Sequence, residues 1–249
     1  EWLLDEIQKA TGKSRSDALM SEIFPVLDWL TYLEKSAPGI LADRKVKTPL
    51  ALMGKKSLVW FEPMGTVLCI CPWNYPFYQA IVPSTLALSC GNPVVYKPSE
   101  YTPMKGVVER VFDLAGIPAG WMNIVYGDGK LGSELIEQRP DKIFFIGSSR
   151  TGRKIMEQAA RHLIPVELEL GGKDPMIVFE DANLERAVAG AAWGAFTNTG
   201  QSCTSVERLY VQESIYEEFR KRLTLESRTV TQGLDKDGSA DMGAMTTPE

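Results

Sequence analysis

The sequence predicts an α/β protein built on a mostly parallel sheet with flanking helices. Short β-rich runs alternate with helical stretches over residues 65–170, as they do in βαβ units. Glycine, proline and serine cluster in the turns after the first four β-rich runs, where parallel sheets bind ligands. Gly171 and Gly172 then mark a hinge. We therefore predict a Rossmann-like domain over residues 1–171, followed by a second α/β domain over residues 172–249.

The elements follow from local patterns. Residues 2–36 are predicted to be helical, because apolar residues recur at spacings of three and four. Residues 37–57 hold two prolines and two glycines, which indicates a connecting or edge segment. The predicted strands are then 65–71, 92–97, 121–126, 142–146 and 166–170, with helices at 80–89, 103–115, 131–138 and 151–162. Past the hinge we predict strands at 175–179 and 208–211 and helices at 184–196 and 215–225.

Composition argues against several classes of protein. The net charge of −5 argues against a broad nucleic-acid surface, and no apolar run reaches the roughly 20 residues of a membrane-spanning helix. Four cysteines indicate reduced thiols rather than a disulfide framework, so we expect a cytoplasmic protein. Cys69 and Cys71 lack zinc-site spacing and a partner pair, so we expect no metal. Together with Cys90, they are interpreted as small core residues.

We expect both ends of the chain to be cut. Glu1 starts in what looks like the middle of a helix, without an initiating methionine or a cap. The acidic start is also unlike a signal peptide. The other end stops after a loop at residues 245–249.

Two glycine-containing turns between a strand and a helix are candidates for dinucleotide binding. Residues 127–132 match the spacing G-x-G-x-x-G, but no acidic residue is obvious about 20 positions later. A plain tight turn is therefore the alternative for Gly127. Residues 147–152 also open a helix, and the backbone N–H groups at Gly147 and Ser148 would suit a phosphate. We favour this second turn, with a serine-capped helix as its alternative.

Polar residues follow two of the predicted strands. Lys97 and Glu100 come after the second strand and could bond the hydroxyls of a ribose, where Glu100 would repel a 2′-phosphate. A surface salt bridge is the alternative. Asn74 lies in a rigid loop after the first strand, with Pro72 before it and Pro76 after it. Its neutral amide could stabilise an oxyanion, and an ordinary turn residue is the alternative.

Cys203 and Glu169 are the candidates for covalent chemistry. The chain has a single histidine, His162, so a Cys-His or Ser-His-Asp arrangement is hard to build. Cys203 differs from the other cysteines because it lies among polar residues that could supply dipoles to a thiolate. Glu169 lies near the carboxyl end of its strand, where we expect partial burial that would suit a base. For Glu167, on the same face, a solvated position is favoured.

Taken together, these segments resemble the NAD(P)-dependent aldehyde dehydrogenase superfamily. The matching motifs, in the family's order and at similar spacing, are Pro-Trp-Asn-Tyr-Pro-Phe at 72–77, Lys-Pro-Ser-Glu-Tyr-Thr-Pro at 97–103, Phe-Ile-Gly-Ser at 145–148 with Gly152, Glu-Leu-Gly-Gly-Lys at 169–173, and Gly-Gln-Ser-Cys at 200–203. The resemblance covers roughly residue 61 to the end. Family chains are roughly twice as long as this one. The family's downstream glutamate-containing segment, which binds the nicotinamide ribose, has no match in this sequence.

The resemblance implies a catalytic role for three residues. Cys203 would attack an aldehyde, while the Asn74 amide and the Cys203 backbone N–H hold the oxyanion of the thiohemiacetal. Hydride transfer to the nicotinamide would leave a thioester. Glu169 would activate the water that hydrolyses this thioester to a carboxylic acid.

The resemblance also implies a cofactor site for NAD in the 1–171 domain, with residues 172–249 forming part of the catalytic domain. Lys97 and Glu100 would hold the adenosine ribose, and Glu100 favours NAD, with NADP as the alternative. Gly147 and Ser148 would lie near the pyrophosphate. The expected cofactor-binding residues are Ile70, Pro72, Trp73, Asn74, Lys97, Glu100, Gly127, Gly147, Ser148, Gly152, Leu170 and Gly171.

Two other interpretations of the resemblance stay open. One is a catalytically incomplete fragment that binds a dinucleotide or packs with a partner. The other is a dehydrogenase that passes the acyl group to coenzyme A or phosphate; such relatives can lack a base at position 169, so Glu169 favours hydrolysis. The expected partners are a small-molecule aldehyde and, for the full-length protein, copies of itself in a homodimer or homotetramer. Neither nucleic acid nor a membrane is expected.

Overall fold

The N-terminal region of the computed structural model, which describes residues 1–233 and 237–247, is a layer of short helices. They are α1 (Trp2–Thr11), α2 (Arg15–Ala18) and α3 (Phe24–Ile40), with a π-helical turn at Leu19–Ile23. The helical prediction for residues 2–36 is confirmed over most of this range, but residues 12–14 interrupt the helix. Gly12 adopts a left-handed φ of 75° and donates its N–H to Gln8 O, which terminates α1. Ser14 then caps α2 by accepting the Asp17 N–H.

A small antiparallel hairpin follows the helical layer. Its strands are β1 (Arg44–Val46) and β2 (Ser57–Val59), and a 3-10 turn at Leu50–Leu52 lies between them. The segment predicted as connecting or edge is thus partly this hairpin, while α3 continues through Pro38 and Gly39. Several apolar side chains of the hairpin connection are exposed, led by Leu50 (87%) and Met53 (83%).

A parallel five-stranded sheet follows, with the predicted alternation confirmed and boundaries shifted by a few residues. Its strands are β3 (Val67–Ile70), β4 (Val94–Lys97), β5 (Met122–Ile124), β6 (Lys142–Gly147) and β7 (Val166–Leu170). The connecting helices are α4 (Pro76–Ser89), α5 (Val107–Leu114), α6 (Gly129–Glu137) and α7 (Ser149–Ala160). The strand order is β5-β4-β3-β6-β7.

Both faces of this sheet are covered. Side chains alternate along a strand, so Val67 and Cys69 of β3 pack in one core with α4 and α5, whereas Leu68 and Ile70 pack in a second core with α6 and α7. Burial of Cys69 and of Cys71, just beyond the strand, confirms their prediction as core residues. Cys90 is only half-buried.

The direction of chain progression reverses at β3. From β3 the chain moves outward through β4 to β5, and then returns to pair β6 with the other side of β3. In open α/β sheets, ligands bind outside the carboxyl ends of the strands at such a reversal. The loops that leave β3 and β6 there carry Asn74 and Ser148.

The remaining described residues form a smaller α/β unit. It contains β8 (Asp174–Val178), α8 (Leu184–Phe196), a 3-10 turn at Thr197–Gly200, β9 (Val206–Val211) and α9 (Glu213–Thr229). β8 and β9 are parallel, and their core includes Val178, Val188 and Phe219. A domain boundary after residue 171 stays a prediction, and residues 234–236 and 248–249 of the second predicted domain lie outside the described residues. No helix in the described ranges is long and apolar enough to cross a membrane.

Candidate active site

A cleft of about 300 Å³ lies at the carboxyl ends of β3, β6 and β7. It brings together Asn74 from the first of these loops, Glu169 from the end of β7, and Cys203 from the loop before β9. Of the residues predicted for the site, the cleft is lined by Pro72, Trp73, Asn74, Gly147, Ser148, Glu169, Leu170, Gly171 and Cys203. The other predicted residues, Ile70, Lys97, Glu100, Gly127 and Gly152, do not line it.

The Asn74 side chain connects the loop after β3 to the cysteine loop. Its Nδ2 donates to Gln201 O over 2.9 Å, and its Oδ1 accepts from Gln79 Nε2 over 3.2 Å. Asn198 Nδ2 donates to Asn74 O (3.2 Å) and to Gln201 O (3.1 Å). The side-chain amide is therefore held at one end by the Gln201 carbonyl and at the other by Gln79, while Asn198 holds the Asn74 backbone. The sequence placed Gln201 in the cysteine motif, but it gave no role to Gln79 or Asn198.

The turn before Cys203 has a strained backbone. Asn198 and Thr199 have φ values of 53° and 58°, in the left-handed region. Asparagine tolerates this region, but the β-branched Thr199 rarely adopts it, so the strain lies at Thr199. Asn198 is almost fully buried, and its carbonyl oxygen accepts from Gln201 Nε2 over 3.0 Å. Such strain persists only where surrounding contacts enforce it, and it concentrates at functional sites. The turn leaves Cys203 exposed.

Tyr75 also lies close to Cys203, and the sequence did not indicate this proximity. Burial raises the pKa of its hydroxyl, while hydrogen bonds with Ser202 and Asn198 act in the opposite direction. Lys13 Nζ lies 4.1 Å from the centroid of the Tyr75 ring. The aromatic ring thus packs between the N-terminal helical layer and the cysteine loop.

A buried ion pair anchors the start of α4. Lys13 Nζ lies 2.8 Å from Glu22 Oε1, and both side chains are essentially inaccessible. Glu22 Oε2 accepts the backbone N–H groups of Phe77 (2.7 Å) and Tyr78 (3.1 Å). Because these amides open α4, the carboxylate satisfies donors that the helix itself leaves free. Neither charge carried a sequence signal of burial.

Glu169 departs from its prediction. We expected partial burial, and the structure shows an exposed side chain. The reason is topological, because β7 is the edge strand of the five-stranded sheet and is paired only with β6. Glu167, predicted to be solvated, is also exposed and lies 3.5 Å from Lys142 Nζ.

The two glycine turns differ in their free donors. Ser148 caps the 12-residue α7 by accepting the Thr151 N–H over 3.3 Å, which leaves other first-turn amides for an anion. At α6, Asp128 accepts the N–H groups of both Lys130 and Leu131, and its carboxylate would repel a phosphate. The geometry therefore favours the Ser148 turn for a pyrophosphate and a tight capped turn at Gly127.

Gly152 has a packing role. A Cβ built there would stand 2.8 Å from Leu170 Cδ2, so the missing side chain lets α7 approach β7 closely. This contact places the N-terminus of α7, with Ser148, beside the end of β7 in the cleft.

Lys97 and Glu100 form a pair at the end of β4. Lys97 Nζ donates to Pro98 O over 3.0 Å and lies 3.8 Å from Glu100 Oε2. The Lys97 side chain is 4% exposed, so burial lowers its pKa, while the nearby Glu100 carboxylate acts in the opposite direction. Half of Glu100 is exposed, so it is free to accept from a hydroxyl. The predicted surface salt bridge and the predicted ribose contact thus use the same two residues.

Comparison with known proteins decides the family. The sequence model that describes the aldehyde dehydrogenase family matches residues 1–249 of this chain. The chain belongs to the aldehyde dehydrogenase family. Among curated family members, a 4,4'-diapolycopene aldehyde oxidase from Methylomonas sp is 47% identical over 246 residues, which are 98% of this chain and 46% of that protein. A D-glyceraldehyde dehydrogenase (NADP(+)) from Picrophilus torridus is 37% identical over 98% of this chain and 49% of its own length.

Solved structures of the family agree with the fold. PnpE from Pseudomonas sp. WBC-3 matches with a TM-score of 0.92 at 34% identity, over 99% of this chain and 50% of that one. A structure of PnpE in complex with nicotinamide adenine dinucleotide gives the same values. This aldehyde dehydrogenase chain therefore spans about half the length of the relatives it matches.

Proposed function

We propose that this protein oxidises an aldehyde to a carboxylic acid with NAD, using Cys203 as the nucleophile. The observation that carries the proposal is the convergence of Cys203, Asn74 and Glu169 in one cleft, although they come from three separate parts of the chain. A nucleophile, an oxyanion donor and a base in one water-accessible site are the groups that acyl transfer to water requires.

In the proposed reaction, the Cys203 thiolate forms a bond to the carbonyl carbon, and the C=O electron pair moves onto oxygen. Asn74 Nδ2 carries two hydrogens, of which one is donated to Gln201 O. The other, together with the Cys203 backbone N–H, would donate to the oxyanion. After oxidation, Glu169 accepts a proton from water, the water oxygen bonds to the thioester carbon, and Cys203 leaves as a thiolate. The exposure of Glu169 supports this role, because water reaches it directly.

The residues present fit a dinucleotide. Lys97 and Glu100 offer donors and an acceptor to ribose hydroxyls, and Gly147 and Ser148 precede the free amides of α7. We propose Ile70, Pro72, Trp73, Leu170 and Gly171 as further contacts, with NADP as the alternative cofactor. When bound, NAD supplies the two-electron acceptor that takes a hydride from the reacting carbon.

The test is formation of NADH by the purified 249-residue chain with a panel of aldehydes. A long apolar polyene aldehyde comes first, because the 47% identical relative is named a 4,4'-diapolycopene aldehyde oxidase. Glyceraldehyde follows, from the name of the second relative. Aldehyde-dependent NADH that disappears in Cys203→Ala supports the proposal. Activity retained by Cys203→Ala contradicts it.

Glu169→Gln separates hydrolysis from acyl transfer to coenzyme A. If Glu169 is the base, the variant loses hydrolysis, while an added thiol acceptor restores turnover, because the thioester still forms. Normal hydrolysis in Glu169→Gln would remove Glu169 from the mechanism. Turnover of the unmodified chain that requires coenzyme A would favour the acylating alternative.

We also propose that the full-length protein forms a homodimer or homotetramer in the cytoplasm. The exposed apolar side chains of the hairpin connection, such as Leu50 and Met53, support self-association, and four free thiols support a reducing compartment. Light scattering coupled to size-exclusion chromatography tests the assembly, and a monomer at micromolar concentration would contradict it.

A further inference from the structure

The Asn74 amide must present an N–H, and not its oxygen, to a reacting carbonyl. The two ends of an asparagine amide are nearly identical in shape, so their partners decide the orientation. Gln201 O is a backbone carbonyl that can only accept, so it selects the Nδ2 end. The opposite end, Oδ1, then faces Gln79 Nε2 at 3.2 Å.

We propose that Gln79 is a positioning residue that locks the Asn74 amide in its oxyanion-binding orientation; this inference rests on the proposed function. Gln79 lies in the first turn of α4, is only 5% exposed, and lines the cleft. Its backbone N–H donates to Tyr75 O (2.9 Å), and its carbonyl accepts from Cys71 Sγ (3.3 Å). The amide that touches Asn74 is therefore carried by a rigid element.

The remaining end of Gln79 supports this assignment. Gln79 Oε1 is buried and has no hydrogen-bond partner in the part of the chain that the structure describes. A buried side chain with one unsatisfied atom calls for a reason to be polar. The bond to Asn74 Oδ1 supplies that reason, because it is the one hydrogen bond that the Gln79 side chain makes among the described residues.

Loss of the Gln79 donor would act on Asn74 in two ways. Asn74 Oδ1 would lose its partner, and the amide plane could turn so that oxygen rather than N–H faces the oxyanion. A donor on Oδ1 also polarises the amide, which strengthens the N–H at its other end. Both effects weaken binding of the oxyanion and leave the sulfur of Cys203 untouched.

The probe is an aryl trifluoromethyl ketone, whose carbonyl carbon bonds to the Cys203 sulfur and whose oxygen becomes the oxyanion. No oxidant or cofactor takes part, and ¹⁹F NMR gives the Kd of the adduct on the 249-residue chain. Gln79→Met should weaken the adduct about tenfold. Gln138→Met, at an exposed position after α6, should leave the Kd unchanged.

Alkylation of Cys203 by iodoacetamide is the second readout, because it needs the thiolate but no oxyanion donor. We expect the rate in Gln79→Met to stay within about twofold of the unmodified chain, since the sulfur keeps its surroundings. Continued protection of Cys69 and Cys71 in the same digest shows that the variant is folded.

A double-mutant cycle distinguishes positioning from general packing. Asn74→Ala alone should weaken the adduct about a hundredfold, and adding Gln79→Met should weaken it no further, because Gln79 acts through Asn74. Full additivity, or an unchanged Kd in Gln79→Met, overturns the inference while the proposed function stands. If the unmodified chain forms no adduct at Cys203, the proposed function fails and the inference fails with it.

Discussion

At the scale of single residues, the four cysteines occupy different environments. Burial raises the pKa of Cys69 to about 12 and that of Cys71 well above its ordinary value. Only the thiolate reacts with alkylating agents, so both thiols stay unreactive until the pH is far above neutral. Cys203 is exposed, which makes it the most accessible thiol of the chain.

We therefore predict selective alkylation at pH 8. Iodoacetamide should modify Cys203 at least about a hundredfold faster than Cys69. The reason is that the buried Cys69 is almost entirely protonated at pH 8 and is shielded from the reagent. Peptide mapping by mass spectrometry over a time course measures both rates. In guanidinium chloride all four thiols should react alike, and similar rates in the folded chain would contradict the burial of Cys69.

Glu100 provides a prediction about the cofactor. Its carboxylate lies 3.8 Å from Lys97 Nζ and is half exposed. If the adenosine ribose binds here as proposed, the 2′-phosphate of NADP would meet this negative charge. Glu100→Ser should raise the ratio of NADP to NAD affinity by about tenfold, as loss of one charge repulsion implies. Tryptophan-fluorescence titrations measure both Kd values. Glu134→Ser, an exposed position on α6, is the control and should not move the ratio.

At the scale of elements, the entry into β3 depends on one glycine. Gly65 has a φ of 119°, and a Cβ built there would fall 2.1 Å from Asp141 Oδ2. That oxygen accepts the Thr66 N–H over 2.7 Å, and Asn92 Oδ1 accepts the Gly65 N–H over 3.0 Å. The backbone before the central strand is thus fixed by side chains that leave no room for a methyl group.

Gly65→Ala should destabilise the chain by about 1–3 kcal/mol, because an L-residue is strained at this φ and displaces Asp141. Urea unfolding followed by circular dichroism gives the free energy of unfolding. Gly39→Ala, in α3 with nothing within 4 Å of the new methyl group, should stay within about 0.5 kcal/mol of the unmodified chain. Equal effects of the two substitutions would argue against the steric account.

At the scale of the whole molecule, the two ends of the described chain meet at the cysteine loop. Ala244 N donates to Gly12 O over 2.8 Å, and Thr246 N donates to Gln201 Oε1 over 3.0 Å. Asp17 of α2 also accepts from the Asn198 backbone. Residues that shape the turn before Cys203 are therefore fixed by contacts with both the N-terminal helices and the last described segment.

Asp17 makes this junction sensitive to pH. Burial raises its pKa, while the Asn198 N–H, Lys13 and Ser14 act in the opposite direction and the Asp241 carboxylate adds to the rise. Because the folded state holds the proton more tightly than the unfolded state, this carboxyl group lowers stability as the pH rises through its raised pKa. Asp17→Asn should therefore have a higher Tm than the unmodified chain at pH 7. Near pH 3.5, below the ordinary pKa of an aspartate, the two Tm values should be the same.

Asp241→Asn is the matched control for that prediction. Hydrogen bonds from Thr231 lower the pKa of Asp241, so its ionised form favours folding and is lost only at acid pH. The substitution should lower the Tm at pH 7 and have little effect near pH 3.5. Thermal unfolding between pH 3.5 and 7.5 compares the two variants, and shifts of the same sign would contradict the assignment.

Local signals account for the parts of the fold that could be predicted. The strands and helices of the parallel sheet show local periodicity, and glycine or proline marks the turns between them. The alternation of strands and helices from residue 65 to 170 could therefore be predicted from the sequence. The break at Gly12 was not, because apolar spacing continues on both sides of it and one left-handed residue ends the helix. Partial burial of Glu169 was wrongly expected, since edge or central position in a sheet depends on pairing.

For the candidate site too, some features could be predicted from the sequence and others only from the structure. The sequence by itself determined the βαβ order and the motif residues Asn74, Glu169 and Cys203, because those features are short runs whose chemistry is local. Only the tertiary structure decided that the three share a cleft, that Gln79 holds the Asn74 amide, and that Lys13 and Glu22 are buried together. These contacts join distant positions, and their distances depend on how whole elements pack, which no local periodicity encodes.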